Sequence, residues 1–398
     1  MKKILIVMHA MELGGAEKSL IGLLDALDPA RFQVDLFLMR HEGELLKDIP
    51  EYVHLLPEIP QYTVLERPMI ETLREGKVRL TLARLQGKMA AACYNRTHHL
   101  EKSDVAIEYS HKYTWRLFPP IQSGTVYDLA ISYLTPHYIV AGKVHAKKKI
   151  AWIHTDYAKI SIDVPSEEKM WGKYDNIVSI SDAVSRSFAS VFPALKDRLI
   201  RIDNILPSGL VLRESENPVP DEEMPVDGAV RILSVGRYTD AKNFDNVPDI
   251  CRRIRELGAN VKWYIIGYGP DEALIKSKIR EAGMEDAVIL LGKKENPYPY
   301  MRRCDLYAQP SRYEGNCVSV HEAQMLGKPV AIARYQTSAG QLEDGVDGVI
   351  LPQDNEGFAK GIVALLHDPE RMRNLAENCQ RRDYSNRKEV EKLYALIP

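Results

Sequence analysis

The chain has 398 residues, 45% of them hydrophobic and 27% charged, with a formal charge of −2 at pH 7. That balance is the ordinary one of a soluble globular protein rather than of a disordered or membrane-spanning one. The length predicts two domains, and the near-neutral charge leaves no overall electrostatic footprint for nucleic acid. No apolar run reaches the roughly 20 residues that span a bilayer. The opening MKKILIVMHAMELGG has no signal-cleavage pattern, so a cytoplasmic location is expected. The cysteines (Cys93, Cys251, Cys304, Cys317, Cys379) show no Cys-x-x-Cys spacing and are expected to be reduced.

Residues 3–8 form an apolar run, followed by a glycine turn and by residues 16–27, where Leu20, Leu23, Leu24 and Leu27 recur at helical spacing. This predicts a strand-turn-helix unit. Residues 33–38, 129–132, 149–153 and 176–180 read as further buried strands, which makes the first half α/β. Between them, Val78, Leu82, Leu85 and Met89 make an apolar stripe within 73–96, beside Arg74, Lys77, Arg84 and Lys88. Six basic residues there, Arg79 and Arg96 included, face the single acid Glu75. Two expectations follow: the stripe packs on the N-terminal sheet with its charges in solvent, or the helix docks the protein peripherally on an anionic membrane surface.

Residues 207–228 are rich in Pro, Glu, Asp and Gly without an apolar period and read as a linker. Beyond them, candidate strands at 231–236, 261–266, 288–291, 306–310 and 329–333 alternate with helical stretches at 243–257, 271–282, 297–303 and 317–327. Alternation of this kind predicts a right-handed parallel sheet. Open parallel sheets bind ligands at the carboxyl ends of their strands, so functional residues should follow strands.

The strongest signal is Tyr313-Glu314-Gly315-Asn316-Cys317-Val318-Ser319-Val320-His321-Glu322-Ala323, which joins a strand to a helix start. Free N–H groups at a helix N-terminus suit a diphosphate, and the two carboxylates suit sugar hydroxyls. Glu314-x7-Glu322, followed by Leu326-Gly327-Lys328-Pro329-Val330-Ala331, resembles the Glu-x7-Glu signature of retaining glycosyltransferase family 4. The resemblance continues in Ser234-Val235-Gly236-Arg237 with Lys242, in Ile266-Gly267-Tyr268-Gly269-Pro270 and in Glu343-Asp344-Gly345-Val346-Asp347-Gly348. It covers roughly 230–370 well and the first half thinly. Asn316-Cys317 and His321 depart from the commoner form of the signature.

The resemblance implies a GT-B fold, with two Rossmann-like domains facing a central cleft: an acceptor domain over 1–205, a donor domain over 206–380 and a tail, 381–398, crossing back. It implies that Glu322 binds the donor ribose, that Glu314 contacts the transferred hexose, and that Arg237 and Lys242 neutralise the diphosphate. Gly267, Gly269, Asn316, Cys317 and Val318 complete the donor set. In Leu13-Gly14-Gly15-Ala16-Glu17, Gly14 and Gly15 resemble the family's glycine loop, and His154 in Ala151-Trp152-Ile153-His154-Thr155-Asp156 resembles its sugar-contacting histidine. Glu314 and His154 are thus the expected catalytic pair. Ser181 reads simply as a helix cap.

No Asp-x-Asp and no metal-ligand spacing occurs, so a metal-independent reaction without cofactor is expected. The resemblance implies a nucleotide diphosphate sugar, expected to be UDP-linked, as donor. The resemblance also points to a glycan or lipid-linked glycan as acceptor, in cell-surface polysaccharide or glycoconjugate assembly. Two rival readings share the donor pocket: a nucleotide-sugar 2-epimerase, and a non-catalytic partner of an active transferase.

Overall fold

Apolar residues that run together become fully buried parallel strands, because helices cover both sides of such a sheet. The computed structural model describes every residue except 13, 101–102, 158–159 and 315–316, and the side chain of Glu66. The chain divides into two units, Met1–Pro207 with Asn386–Pro398, and Ser208–Ser385.

The first unit is built on β1 (Lys2–Met8), β2 (Phe32–Leu38), β3 (His54–Leu55), β4 (Tyr127–Ser132), β5 (Ala146–Ile153), β6 (Asn176–Ser179) and β7 (Leu199–Arg201). All pair in parallel, in the order β3-β2-β1-β4-β5-β6-β7. Its helices are α1 (Gly15–Ala26), α2 (Met69–Arg74), α3 (Val78–Thr97), α4 (Val105–Thr114), α5 (Tyr138–Lys143), α6 (Val164–Trp171) and α7 (Asp182–Val191). The Ser181 hydroxyl accepts from the Val184 N–H and caps α7. The stretch 73–96 is not one helix: Gly76, at φ +76°, breaks it between α2 and α3.

The second unit opens with α8 (Ser208–Glu214), which corrects the linker expected over 207–228. Leu210 and Val211 are buried, and Met224 further along is buried too. Two adjacent apolar residues set no period, so only the tertiary contact reveals the helix. Strands β8 (Val230–Val235), β9 (Val261–Ile266), β10 (Val288–Gly292), β11 (Leu306–Gln309), β12 (Val330–Ala333) and β13 (Val349–Leu351) form a parallel sheet ordered β10-β9-β8-β11-β12-β13. It carries α9 (Val247–Glu256), α10 (Glu272–Ala282), α11 (Tyr298–Arg303), α12 (Val318–Met325), α13 (Asn355–Leu366) and α14 (Pro369–Gln380). Successive strand residues alternate between two cores: Ile232, Trp263 and Leu306 lie in one, Leu233, Tyr264 and Tyr307 in the other.

Within the tail, expected over 381–398, lie a 3-10 turn, Arg387–Glu389, and α15 (Val390–Tyr394). Tyr394 stacks on Phe32 and its hydroxyl accepts from the Asp28 N–H, so the C-terminal residues complete the first unit.

Candidate functional site

In each sheet the strand order reverses once, between β1 and β4 and between β8 and β11. The two loops that leave such a pair diverge to opposite sides and open a crevice at the carboxyl ends of the strands. In the second unit the loop after β8 carries Gly236, Arg237 and Lys242, and the loop after β11 carries Glu314 and leads to Cys317. Residues 72 to 81 positions apart in sequence are thereby brought to one crevice by topology alone.

There the Lys242 ammonium donates to Glu314 Oε1 at 2.6 Å and lies 3.6 Å from Cys317 Sγ. The Ser311 hydroxyl donates to the same Glu314 oxygen at 2.7 Å. Burial opposes the Lys242 charge, but the neighbouring Cys317 and Glu314 outweigh it and its pKa lies above the usual lysine value. Lys242 is therefore a fixed cation at neutral pH. Arg237, on the same loop, is exposed and enters no ion pair among the described residues.

Glu322 is buried on α12, and Tyr298 donates to its Oε1 at 2.8 Å. Cys317 is the N-cap of α12, and Val318 is its first residue. The Cys317 N–H donates to Gln341 Oε1 at 2.7 Å, and Gln341 Nε2 returns a bond to the Cys317 carbonyl at 3.2 Å. Part of the helix N-terminus expected to meet a diphosphate is thus already occupied by Gln341. Asn316 lies outside the described residues. Gly267 and Gly269 have a packing reason: a Cβ on either would overlap backbone atoms of Gly236 or Tyr238, so they let the loop after β9 lie against the loop after β8.

In the first unit Gly14 caps α1 and Gly15 is its first residue. The buried Glu17 side chain folds back over Gly14, 3.7 Å from His9 Nε2, and burial raises its pKa. His154 follows β5, its ring 5.0 Å from that of Tyr133 at the end of β4. Burial lowers its pKa to about 4, against an opposing hydrogen bond with the Tyr133 backbone, so the imidazole is neutral at pH 7. His154 Nε2 has no hydrogen-bond partner among the described residues, and neither do Trp152 Nε1 and Glu108 Oε2. All three residues line one cavity of about 180 Å³, together with His111, His137 and Glu167. Burial lowers His111 and His137 to about 3 and raises Glu167 to about 7.

Sequence reasoning missed Tyr298, Gln341, Glu108 and Glu167. None sits in a motif, and each matters only through a contact made across the fold. Among the described residues no group of three or more His, Cys, Asp or Glu could hold a metal ion.

Residues 220–382 match the model of the family described as glycosyl transferases group 1. The two parallel-sheet Rossmann-like units have the GT-B architecture. Among individual proteins, the chain is similar to the amylovoran biosynthesis glycosyltransferase AmsK of Erwinia amylovora, 33% identical over 34% of this chain and 35% of that protein. It is also similar to a Campylobacter jejuni N-acetylgalactosamine-N,N'-diacetylbacillosaminyl-diphospho-undecaprenol 4-alpha-N-acetylgalactosaminyltransferase, 30% identical over 37% of this chain and 40% of that one. The matches thus span about two fifths of these relatives' length or less. The solved structure of HepE from Anabaena in complex with UDP and glucose superposes with a TM-score of 0.62, at 18% identity over 99% of this chain and all of that one.

Proposed function

We propose that the chain is a retaining glycosyltransferase that moves a hexosyl unit from a UDP-linked sugar to a hydroxyl of a glycan or lipid-linked glycan, in the assembly of a cell-surface polysaccharide or glycoconjugate. The observation that carries this reading is the Lys242–Glu314 pair at the β8/β11 switch point, followed by the buried Glu322 on α12. The match over 220–382 and the polysaccharide transferases among the relatives support it.

In this reading Glu322 accepts from the ribose hydroxyls and Glu314 from the sugar, while Lys242 and Arg237 meet the diphosphate. The bond from the anomeric carbon to the phosphate oxygen breaks, and the acceptor oxygen bonds to the same face of that carbon through an oxocarbenium-like state. The acceptor proton passes to the departing phosphate oxygen, so no enzyme nucleophile is needed. Negative charge grows on that oxygen as the bond breaks, and preplaced cations stabilise it most at that moment. Fixed side-chain cations do this without a divalent ion. His154 supplies a neutral imidazole to a sugar hydroxyl. The reaction takes place on the cytoplasmic side, peripheral to the cell membrane.

Incubation with UDP-hexoses and a panel of acceptors tests this. The expected result is UDP release that depends on acceptor, with the anomeric configuration retained in the product. Turnover of donor alone to a second nucleotide sugar would show an epimerase instead, and binding without turnover a non-catalytic partner.

A further inference from the structure

Helix α3 carries apolar side chains on two opposite sides. At about 100° per residue, Leu80, Ala83, Gly87 and Ala91 point one way, and all are buried. Val78, Leu82, Leu85 and Met89 point the other way and are 46, 53, 44 and 65% exposed. On the packed side Ala83, Gly87 and Ala91 are small, so α4 can come close; a Cβ on Gly87 would lie 2.8 Å from the Tyr109 carbonyl oxygen. A helix that covers a core needs one apolar side. The second is surplus to folding, and Ile70 and Leu73 on α2 are exposed ahead of it. Single exposed apolar residues call for no explanation, but a contiguous row does.

Charge decides what covers the row. α3 contains Arg79, Arg84, Lys88 and Arg96 and no Asp or Glu. Arg84 is held by the fold, donating to the carbonyls of Val64 and Arg67, and Lys77 donates to the Pro60 carbonyl. These two therefore drop out of the basic stripe expected from sequence. Arg79 and Lys88 are exposed on either flank of the apolar row, and Arg96 follows in line with it. Glu75, the acid between α2 and α3, is already paired with Arg67 and Lys77, and Glu71 stands ahead of the row on α2.

We propose that this side of α3 docks the chain on an anionic lipid bilayer, with Val78, Leu82, Leu85 and Met89 at the acyl boundary and Arg79, Lys88 and Arg96 among the phosphates. Long basic stems reach headgroups while covering apolar surface. A second copy of the chain would bring like charges together along the same seam. The proposal deepens the proposed function by placing its acceptor at a membrane and rests on that reading for the acceptor alone.

The test is sedimentation of the full chain with sucrose-loaded vesicles of phosphatidylcholine, with and without phosphatidylglycerol. Binding is expected only with phosphatidylglycerol and should fall with added salt. Each cation near such a surface contributes about fivefold, so Arg79→Glu/Lys88→Glu should weaken partitioning at least about twenty-five-fold. Leu82→Asn/Met89→Asn should weaken it as well. All four positions are exposed; hydrogen exchange of peptides within 1–207 serves as the control for folding of the first unit, and UDP titration as the control for the donor site. Wild type left in the supernatant with anionic vesicles at low salt overturns the proposal, as does undiminished pelleting of the charge-reversed variant. A dimer by light scattering that Leu82→Asn/Met89→Asn converts to monomer would assign the row to a second copy instead. Loss of sugar transfer with vesicle binding intact would count against the proposed function and not against this surface.

Discussion

Replacing Lys242 by Met should destabilise the second unit as well as weaken donor binding. The ammonium lies 2.6 Å from Glu314 with side-chain exposures of 18 and 11%, so the pair is largely shielded from water. Removing one partner leaves Glu314 with only the Ser311 hydroxyl as a side-chain donor among the described residues, at 2.7 Å. Breaking a buried pair from one side costs about 3–5 kcal/mol, and the residual exposure of Lys242 places this case near the lower end, about 3 kcal/mol. Glu314→Gln should cost less, because an amide oxygen can still accept from both donors. The double variant should recover about 2 kcal/mol of the sum, since neither charge is then stranded. Urea titration read by hydrogen exchange and mass spectrometry of peptides within 208–385 scores this unit separately. UDP affinity of Lys242→Met should fall about tenfold, the value of one charge-assisted contact. A variant within about 0.5 kcal/mol of wild type, or strictly additive single costs, would refute the reasoning.

Glu322→Ala should weaken UDP-sugar binding by about 1.5–3 kcal/mol in calorimetric titration, because ribose hydroxyls lose a charged acceptor; equal affinities would remove Glu322 from the site. His154→Ala should lower kcat more than it changes donor affinity, and unchanged turnover would return the residue to a purely structural role. Turnover should survive excess chelator, and loss that magnesium or manganese restores would overturn the metal-independent scheme. In the first unit, Glu167 titrates near 7 when folded, so its contribution is complete below its unfolded value of about 4.5 and is lost as pH rises through 7. Glu167→Gln should therefore stabilise this unit by about 3 kcal/mol near pH 8 and bring no gain near pH 4, read by the same exchange method. His111, His137 and His154 act in the other sense: their folded values of about 3 to 4 give stability that is complete above about pH 6.5 and lost as pH falls toward those values.

Much of this was legible because parallel strands buried on both sides are written as apolar runs. Residues 231–236 and 261–266 read directly as β8 and β9. His54–Leu55 was not legible, since two residues on an edge carry no pattern. In α3 the spacing revealed the row of Val78, Leu82, Leu85 and Met89 but not its direction. With Ala83, Gly87 and Ala91 opposite, periodicity alone cannot say which side meets the core. Glu314, Glu322 and Lys242 were visible through a motif, whereas Tyr298 and Gln341 became visible only once folding set them against Glu322 and Cys317.

The most direct measurement is a calorimetric titration of the full chain with UDP and UDP-hexoses, paired with hydrogen exchange to locate the ligand. The account predicts saturable binding, protection of peptides covering 236–242 and 310–323, and loss of both in Arg237→Gln/Lys242→Gln. Absence of binding, or protection confined to the first unit, would contradict it.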